Sequence, residues 1–226
     1  MDFIPFNDVD ALEKELAKGD VCAVIFEAIQ GVGGLDEPTA AFVAQMETLC
    51  ETNQTCLIAD EVQSGFGRSG DFFAFQKYNI NPHIISIAKG MGNGFPVGGI
   101  LVHPVIKAKY GLLGTTFGGN HLACSASLAV LQVLEKEKLC DHAKAMGEYF
   151  VQRAKELAFV KTIKGRGLML GLEFEYEVGA LRKELIFKHR IFTGGSSNKN
   201  LIRILPPLNI KQKHLDQLFT ALNACH

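Results

Sequence analysis

Residues Thr55–Arg68 read TCLIADEVQSGFGR, and residues Pro82–Gly94 read PHIISIAKGMGNG. Each is a short apolar run that delivers polar residues and then glycines at its end. Both runs read as buried strands, Cys56–Ala59 and Ile84–Ala88. Asp60 closes the first and Lys89 closes the second. An acid and an amine at the ends of two neighbouring buried strands are what an aldehyde cofactor with a basic ring nitrogen requires.

Outward from this pair, elements alternate. Asn7 or Asp8 can cap a helix in which Val9, Leu12 and Leu16 recur at helical spacing, and Gly19 ends it. Val21–Phe26 (VCAVIF) is a continuous apolar run, the pattern of a strand covered on both faces. A helix is predicted from Thr39 to about Cys50, and a fourth strand over Val97–Val102. Strands alternating with helices predict an α/β fold with a mostly parallel sheet. After about His121 the texture changes: one helix to about Glu137, then a second with Leu139, Ala143, Met146, Phe150, Ala154 and Leu157 on a single face. Short strands follow at Gly167–Phe174, at IFTGG and at Leu201–Leu208, with a helix near Val178–His189 between them. A final helix carries Leu215, Leu218, Phe219 and Leu222. The expected division is a larger α/β domain over 1–137 and a smaller α+β domain over 138–226.

Composition narrows the function classes. The chain has 226 residues, enough to bury a real core, with 47% hydrophobic and 21% charged residues. A formal net charge of −1 gives no field for nucleic acid or an anionic membrane. The first twenty residues have neither a cationic start nor a long apolar core, which argues against a secretory signal and for a cytoplasmic protein. The six cysteines are scattered with no C-x-x-C pair, so no zinc site or disulfide framework is expected and no metal is assigned.

The chemistry concentrates in few residues. A carboxylate beyond the carboxyl end of a strand sits where ligands collect in open α/β sheets, and Asp60 could hold a proton on a heterocyclic nitrogen. A lysine ending an apolar strand is partly desolvated, which favours its neutral, nucleophilic amine. Alone, Asp60 also fits a turn or helix cap and Lys89 a surface lysine; their pairing singles them out. Gly90, Gly92, Gly94, Gly98 and Gly99 match neither a dinucleotide nor a Walker pattern and precede a strand, so they read as a tight turn. Gly114–Asn120 (GTTFGGN), two threonines ahead of a helix, is a better anion contact.

Five segments in order carry a family resemblance: EAIQGVGG (Glu27–Gly34), LIADEVQSGFGRSG (Leu57–Gly70), Ser86–Gly94, TTFGGNHLA (Thr115–Ala123) and RILPPL (Arg203–Leu208). Together they resemble the class III aminotransferases, and within them the acetylornithine and ornithine branch. The resemblance implies a pyridoxal-phosphate-dependent transferase of fold type I, with amino acid and keto acid substrates and a homodimer with shared sites. Carried over by position, Lys89 would hold pyridoxal 5′-phosphate covalently and serve as the catalytic acid and base. Asp60 would pair with the ring nitrogen, Val62 pack on the ring, and Gln63 approach the ring hydroxyl. Thr116 would reach the phosphate of the neighbouring subunit's cofactor, and Arg203 would clamp a substrate carboxylate, with Glu27 near the substrate or paired with Arg203. The reaction implied moves an amino group from an acetylornithine- or ornithine-like donor to 2-oxoglutarate. An aminomutase or racemase using the same cofactor residues, or a catalytically silent dimerisation partner, stays open on these residues.

Two positions depart from the family pattern: Ala28 stands where proline is common, and Val32 where many members have a glutamate. The resemblance also implies a preceding part, with a glycine-rich phosphate loop and an aromatic ring for the cofactor, that Met1–Lys18 cannot replace. On that ground the chain is expected to be a C-terminal fragment, inactive alone or active with a complementing piece.

Overall fold

A computed structural model describes residues 1–112 and 114–226. The chain divides into two compact units, the first formed by Met1–Ala28, Pro38–Gly65 and Phe75–Val133, the second by Ile29–Glu37, Phe66–Ala74 and Leu134–His226.

The first unit is built on a sheet of β1 (Ala23–Phe26), β2 (Cys56–Asp60), β3 (Ile84–Ile87) and β4 (Gly99–Val102), in the order β1-β2-β3-β4. β1, β2 and β3 run parallel, and β4 returns antiparallel along β3. Helix α1 (Val9–Leu16) precedes β1, and α2 (Ala40–Thr52) makes the crossover to β2 that a parallel pair needs. Both helices start on side-chain caps. Asp8 Oδ1 accepts the Ala11 N–H at 2.9 Å, and Thr39 Oγ1 accepts the Phe42 N–H at 3.2 Å. On α2, Val43, Met46 and Cys50 face inward, and on β2 so do Leu57 and Ala59. α3 (His121–Lys136) follows β4.

The expectation that VCAVIF is covered on both faces fails. Strand alternation puts Ile25, Ile58, Ile84, Ile100 and Val102 on the face opposite Leu57 and Ala59, and there Ile25 is 54% and Ile100 45% exposed. Among the described residues of this unit, the packing helix α2 meets β2 on the buried face; on the other, Ile25, Ile100 and Val102 are exposed and Ile58 and Ile84 half-buried, while the outer strand β4 is exposed on both faces.

The second unit has an antiparallel sheet of β5 (Thr162–Arg166), β6 (Met169–Glu173) and β7 (Leu201–Ile204), in that order. α4 (Leu139–Ala154), α5 (Gly179–Phe187) and α6 (Gln212–Ala224) complete it. One face of α4, with Leu139, Ala143, Phe150 and Ala154, is buried as the periodicity predicts. Leu170, Leu172, Phe174, Ile202, Leu215, Leu218 and Phe219 join Phe150 in one core, where the rings of Phe150 and Phe219 lie 5.1 Å apart. IFTGG forms no strand; its only pairing is a single bridge from Gly194 to Arg203. β5 is a strand that the sequence reading did not foresee.

Candidate active site

Parallel pairing puts the carboxyl ends of β1, β2 and β3 on one edge of the first sheet. Asp60 pairs with Ser86 across β2 and β3, and Phe26 pairs with Ala59 across β1 and β2, so Glu27 lies one residue past that pair. Lys89 comes three residues after Ser86, in a 3-10 turn over Lys89–Gly92. The edge therefore gathers Glu27, Asp60, Ser86 and Lys89, the location where ligands bind in open α/β sheets. Asp60 is the last residue of β2, and Lys89 lies two residues past the end of the adjacent β3.

Asp60 is half-buried and fixed. Its Oδ1 accepts the Ser86 hydroxyl at 2.9 Å and the Val62 N–H at 3.0 Å. Hydrogen bonds to a charged group contribute about 1.5–3 kcal/mol each, enough to hold one carboxylate orientation. Both bonds use the same oxygen, which leaves Oδ2 as the acceptor for a proton on a ligand. Ser86 received no role from the sequence. Its signal was strand register: a serine inside an apolar run, directly across from the acid.

The turn after β2 is braced from beneath by Glu61, 1% exposed. Its Oε2 accepts the Ser64 hydroxyl at 2.7 Å and its Oε1 the Phe75 N–H at 2.8 Å. A buried carboxylate is tolerated here because such donors surround it. Val62 and Gln63, both half-buried, lie on this braced turn directly after Asp60.

Lys89 is exposed within this chain, not partly desolvated as its place after an apolar strand predicted. The physical reason is that β3 stops at Ile87, so the lysine projects from the turn beyond the sheet. Its φ is +42°, in the left-handed region that costs a non-glycine residue about 1–3 kcal/mol and recurs at functional sites. The glycines behind it do form a tight turn. A Cβ on Gly92 would come within 2.6 Å of Val97 Cγ1, and one on Gly98 within 3.2 Å of the Ile87 carbonyl oxygen.

Thr116 is exposed in the loop before α3. Asn120 caps that helix, its Oδ1 accepting the Ala123 N–H at 3.0 Å. Arg203 belongs to the second unit, at the middle of β7, where its Nε donates to the Gly195 carbonyl at 2.5 Å. Val32, also in that unit, is exposed and receives the Ser197 N–H on its carbonyl at 2.8 Å, and Ala28 is buried in the first.

Comparison with known proteins meets this geometry from another side. The family model of aminotransferase class III matches residues 4–225. The chain is 40% identical to the acetylornithine aminotransferase of Aquifex aeolicus, over 97% of this chain and 57% of that protein. With the acetylornithine aminotransferase of Methanocaldococcus jannaschii it shares 37% identity over 98% of this chain and 56% of that one. Among solved structures, the ornithine aminotransferase of Plasmodium yoelii superposes with a TM-score of 0.87 at 32% identity, covering 97% of this chain and 60% of that one. The chain thus spans little more than half the length of the curated relatives it matches. Their α/β architecture is the one described above, and the family's cofactor is pyridoxal phosphate. This chain belongs to the class III aminotransferases.

Proposed function

We propose that this chain supplies the pyridoxal-phosphate-holding edge of an enzyme that moves an amino group from an ornithine-class donor to a keto acid, with 2-oxoglutarate as acceptor. The observation that carries the reading is the register of β2 and β3, in which Asp60, pinned by Ser86, ends β2 and Lys89 follows the end of the adjacent β3. The residues present fit the group. Asp60 offers a fixed acceptor for the protonated ring nitrogen, Lys89 an amine for its aldehyde, and Val62 an aliphatic surface for its ring. Gln63 would lie beside the ring hydroxyl. Bound there, the cofactor would supply an electron-withdrawing protonated ring next to the amino-bearing carbon.

The chain's own part in the reaction is proton handling and positioning. Asp60 would keep the ring nitrogen protonated, while the Ser86 hydroxyl and Val62 N–H hold the carboxylate from rotating away. Lys89 Nζ would hold the cofactor covalently and, as a free amine, would take up and give back a proton as general base and acid. Arg203 would receive a substrate carboxylate in a two-pronged clamp, its Nε already anchored on Gly195. Glu27 would flank the substrate on the sheet edge. The donor class is supported by the names of the relatives above, acetylornithine and ornithine aminotransferases.

Thr116, exposed ahead of α3, supports a homodimer in which each copy contacts the other's cofactor phosphate. Six free cysteines support a reducing, cytoplasmic setting. No described helix is long and apolar enough to cross a membrane.

The test is to add pyridoxal phosphate to the purified chain and follow the absorbance of covalently held cofactor. The wild type gains the band, Lys89→Ala lacks it, and Asp60→Asn keeps it weakly. A band of equal size in Lys89→Ala overturns the assignment. Amino transfer from ornithine or acetylornithine to 2-oxoglutarate is then measured with and without the half-length complement of a relative, and transfer in neither case overturns the proposed activity.

A further inference from the structure

Away from the first sheet, one constellation brings three unlike ligand types together. Glu184, His189 and Cys225 offer a carboxylate oxygen, an imidazole nitrogen and a sulfur that all lie within 4.8 Å of one another. All three are half-buried, and all belong to the second unit. Among the described residues no other three His, Cys, Asp or Glu side chains gather this closely.

The backbone explains the gathering. Glu184 sits one turn before the end of α5, whose C-cap is Lys188. Arg190 takes a left-handed φ of +57° and donates its N–H to the Ile186 carbonyl at 3.1 Å, which closes the helix just beyond His189. Cys225 is the C-cap of α6, with its N–H on the Ala221 carbonyl at 3.1 Å. Two helix C-termini therefore meet at the cluster. Each carries roughly half a negative charge from its unsatisfied carbonyls, so the location favours a cation independently of the side chains.

A cation is already there. Lys188 Nζ lies 2.7 Å from Glu184 Oε1. Burial pushes the Cys225 thiol above its ordinary value; Glu184 adds to the push, and the Lys188 charge opposes it.

We propose that Glu184, His189 and Cys225 form a binding site for a single divalent ion of zinc type, with water as the fourth ligand and Lys188 as the competing occupant. A thiolate and an imidazole exclude magnesium and calcium and suit zinc. Tetrahedral zinc with bonds of about 2.0–2.3 Å needs its ligands roughly 3.4–3.8 Å apart, so the side chains need close by no more than about 1 Å on binding. The balance is simple: the aqua ion exchanges all but one of its water ligands for bonds to sulfur, nitrogen and oxygen, the Sγ proton leaves to water, and the lysine ammonium moves into solvent. Lys188 has 70% of its side chain exposed, so its ion pair is easily given up.

The test titrates the metal-free, reduced full chain with Co²⁺ and then Zn²⁺. One equivalent of cobalt gives the near-ultraviolet thiolate absorption and the visible bands of a tetrahedral site, and zinc bleaches both. Cys225→Ser abolishes the thiolate absorption, and His189→Gln weakens binding by at least about tenfold, the loss that removing a mere supporting partner can cause. Lys188→Gln, a change on a solvent-exposed side chain, tightens binding several-fold by removing the competitor. Absence of the absorption, its persistence in Cys225→Ser, or weaker binding by Lys188→Gln each overturns the site.

Discussion

The two sheets of this molecule solve the burial problem differently. In the second unit, β6 is closed in on every side: Met169, Leu170 and Leu172 are fully buried, and α4, α5 and α6 supply Phe150, Leu185 and Phe219 to the same interior. In the first, α2 covers one face of β2, while Ile25, Ile100 and Val102 stand open on the other. The second unit carries a core of its own. The first carries Glu27, Asp60, Ser86 and Lys89 at one edge of a sheet whose aliphatic face is only partly covered within this chain.

The largest break in this contrast comes from truncating the closed core. Phe150→Ala removes a fully buried ring that lies 5.1 Å from Phe219, and large-to-small changes of this kind cost about 3–5 kcal/mol. Amide hydrogen exchange read by mass spectrometry is expected to rise most in β5, β6 and β7. Uniform exchange across both sheets would contradict a self-contained second core.

How much of this was legible in the letters follows the same division. β1, β2 and β3 stand out because each is an apolar run stopped by a polar residue, and the stops are Glu27, Asp60 and Lys89. The antiparallel return of β4 and the bond from Ser86 to Asp60 depend on register, which a single strand's sequence does not carry. β5 escaped because it reads TIKGR. Its charged residues are inside ion pairs, Lys164 with Asp36 at 2.8 Å and Arg166 with Glu37 at 3.0 Å and Asp71 at 2.6 Å. Those partners come from Ile29–Glu37 and Phe66–Ala74, short segments that group with the second unit without any change in composition to mark them. The Glu184, His189 and Cys225 cluster was invisible for a related reason. Its members share no local spacing and meet only because two helices end together.

A smaller effect sharpens the comparison from the first unit's side and is read by pH. Cys50, on the inward face of α2, has its thiol pushed up to about 12, chiefly by burial and then by Cys56 and Glu47. In the unfolded chain the thiol ionises near its ordinary value, so between about 9 and 12 the folded state holds a proton that the unfolded state has lost. Stability is therefore complete below that window and declines as pH rises through it, by up to about 1.4 kcal/mol per pH unit. Cys50→Ala, which carries no ionisable group, is expected to flatten the alkaline arm of urea midpoints measured from pH 8 to 10.5. An unchanged slope would mean that α2 loosens from the sheet before the thiol ionises.

The smallest expected change is the most telling, because it substitutes an apolar side chain on the open face of the first sheet. Ile25 is a β-branched aliphatic residue at the centre of β1, an edge strand, and it is 54% exposed. Ile25→Thr keeps the branched shape that suits a strand and adds a hydroxyl on the open face. Surface changes of this kind stay within about ±0.5 kcal/mol, several-fold below the loss at Phe150. Its visible consequence lies in association. An edge strand with exposed aliphatic side chains is a template for other chains, and threonine there lowers the apolar area on offer. Light scattering against concentration is expected to show less self-association in Ile25→Thr at an unchanged urea midpoint. A midpoint shift corresponding to a loss of more than about 1 kcal/mol of stability would show that this face is already covered in solution by a second copy of the chain, and that the contrast between the two sheets holds only for a single copy.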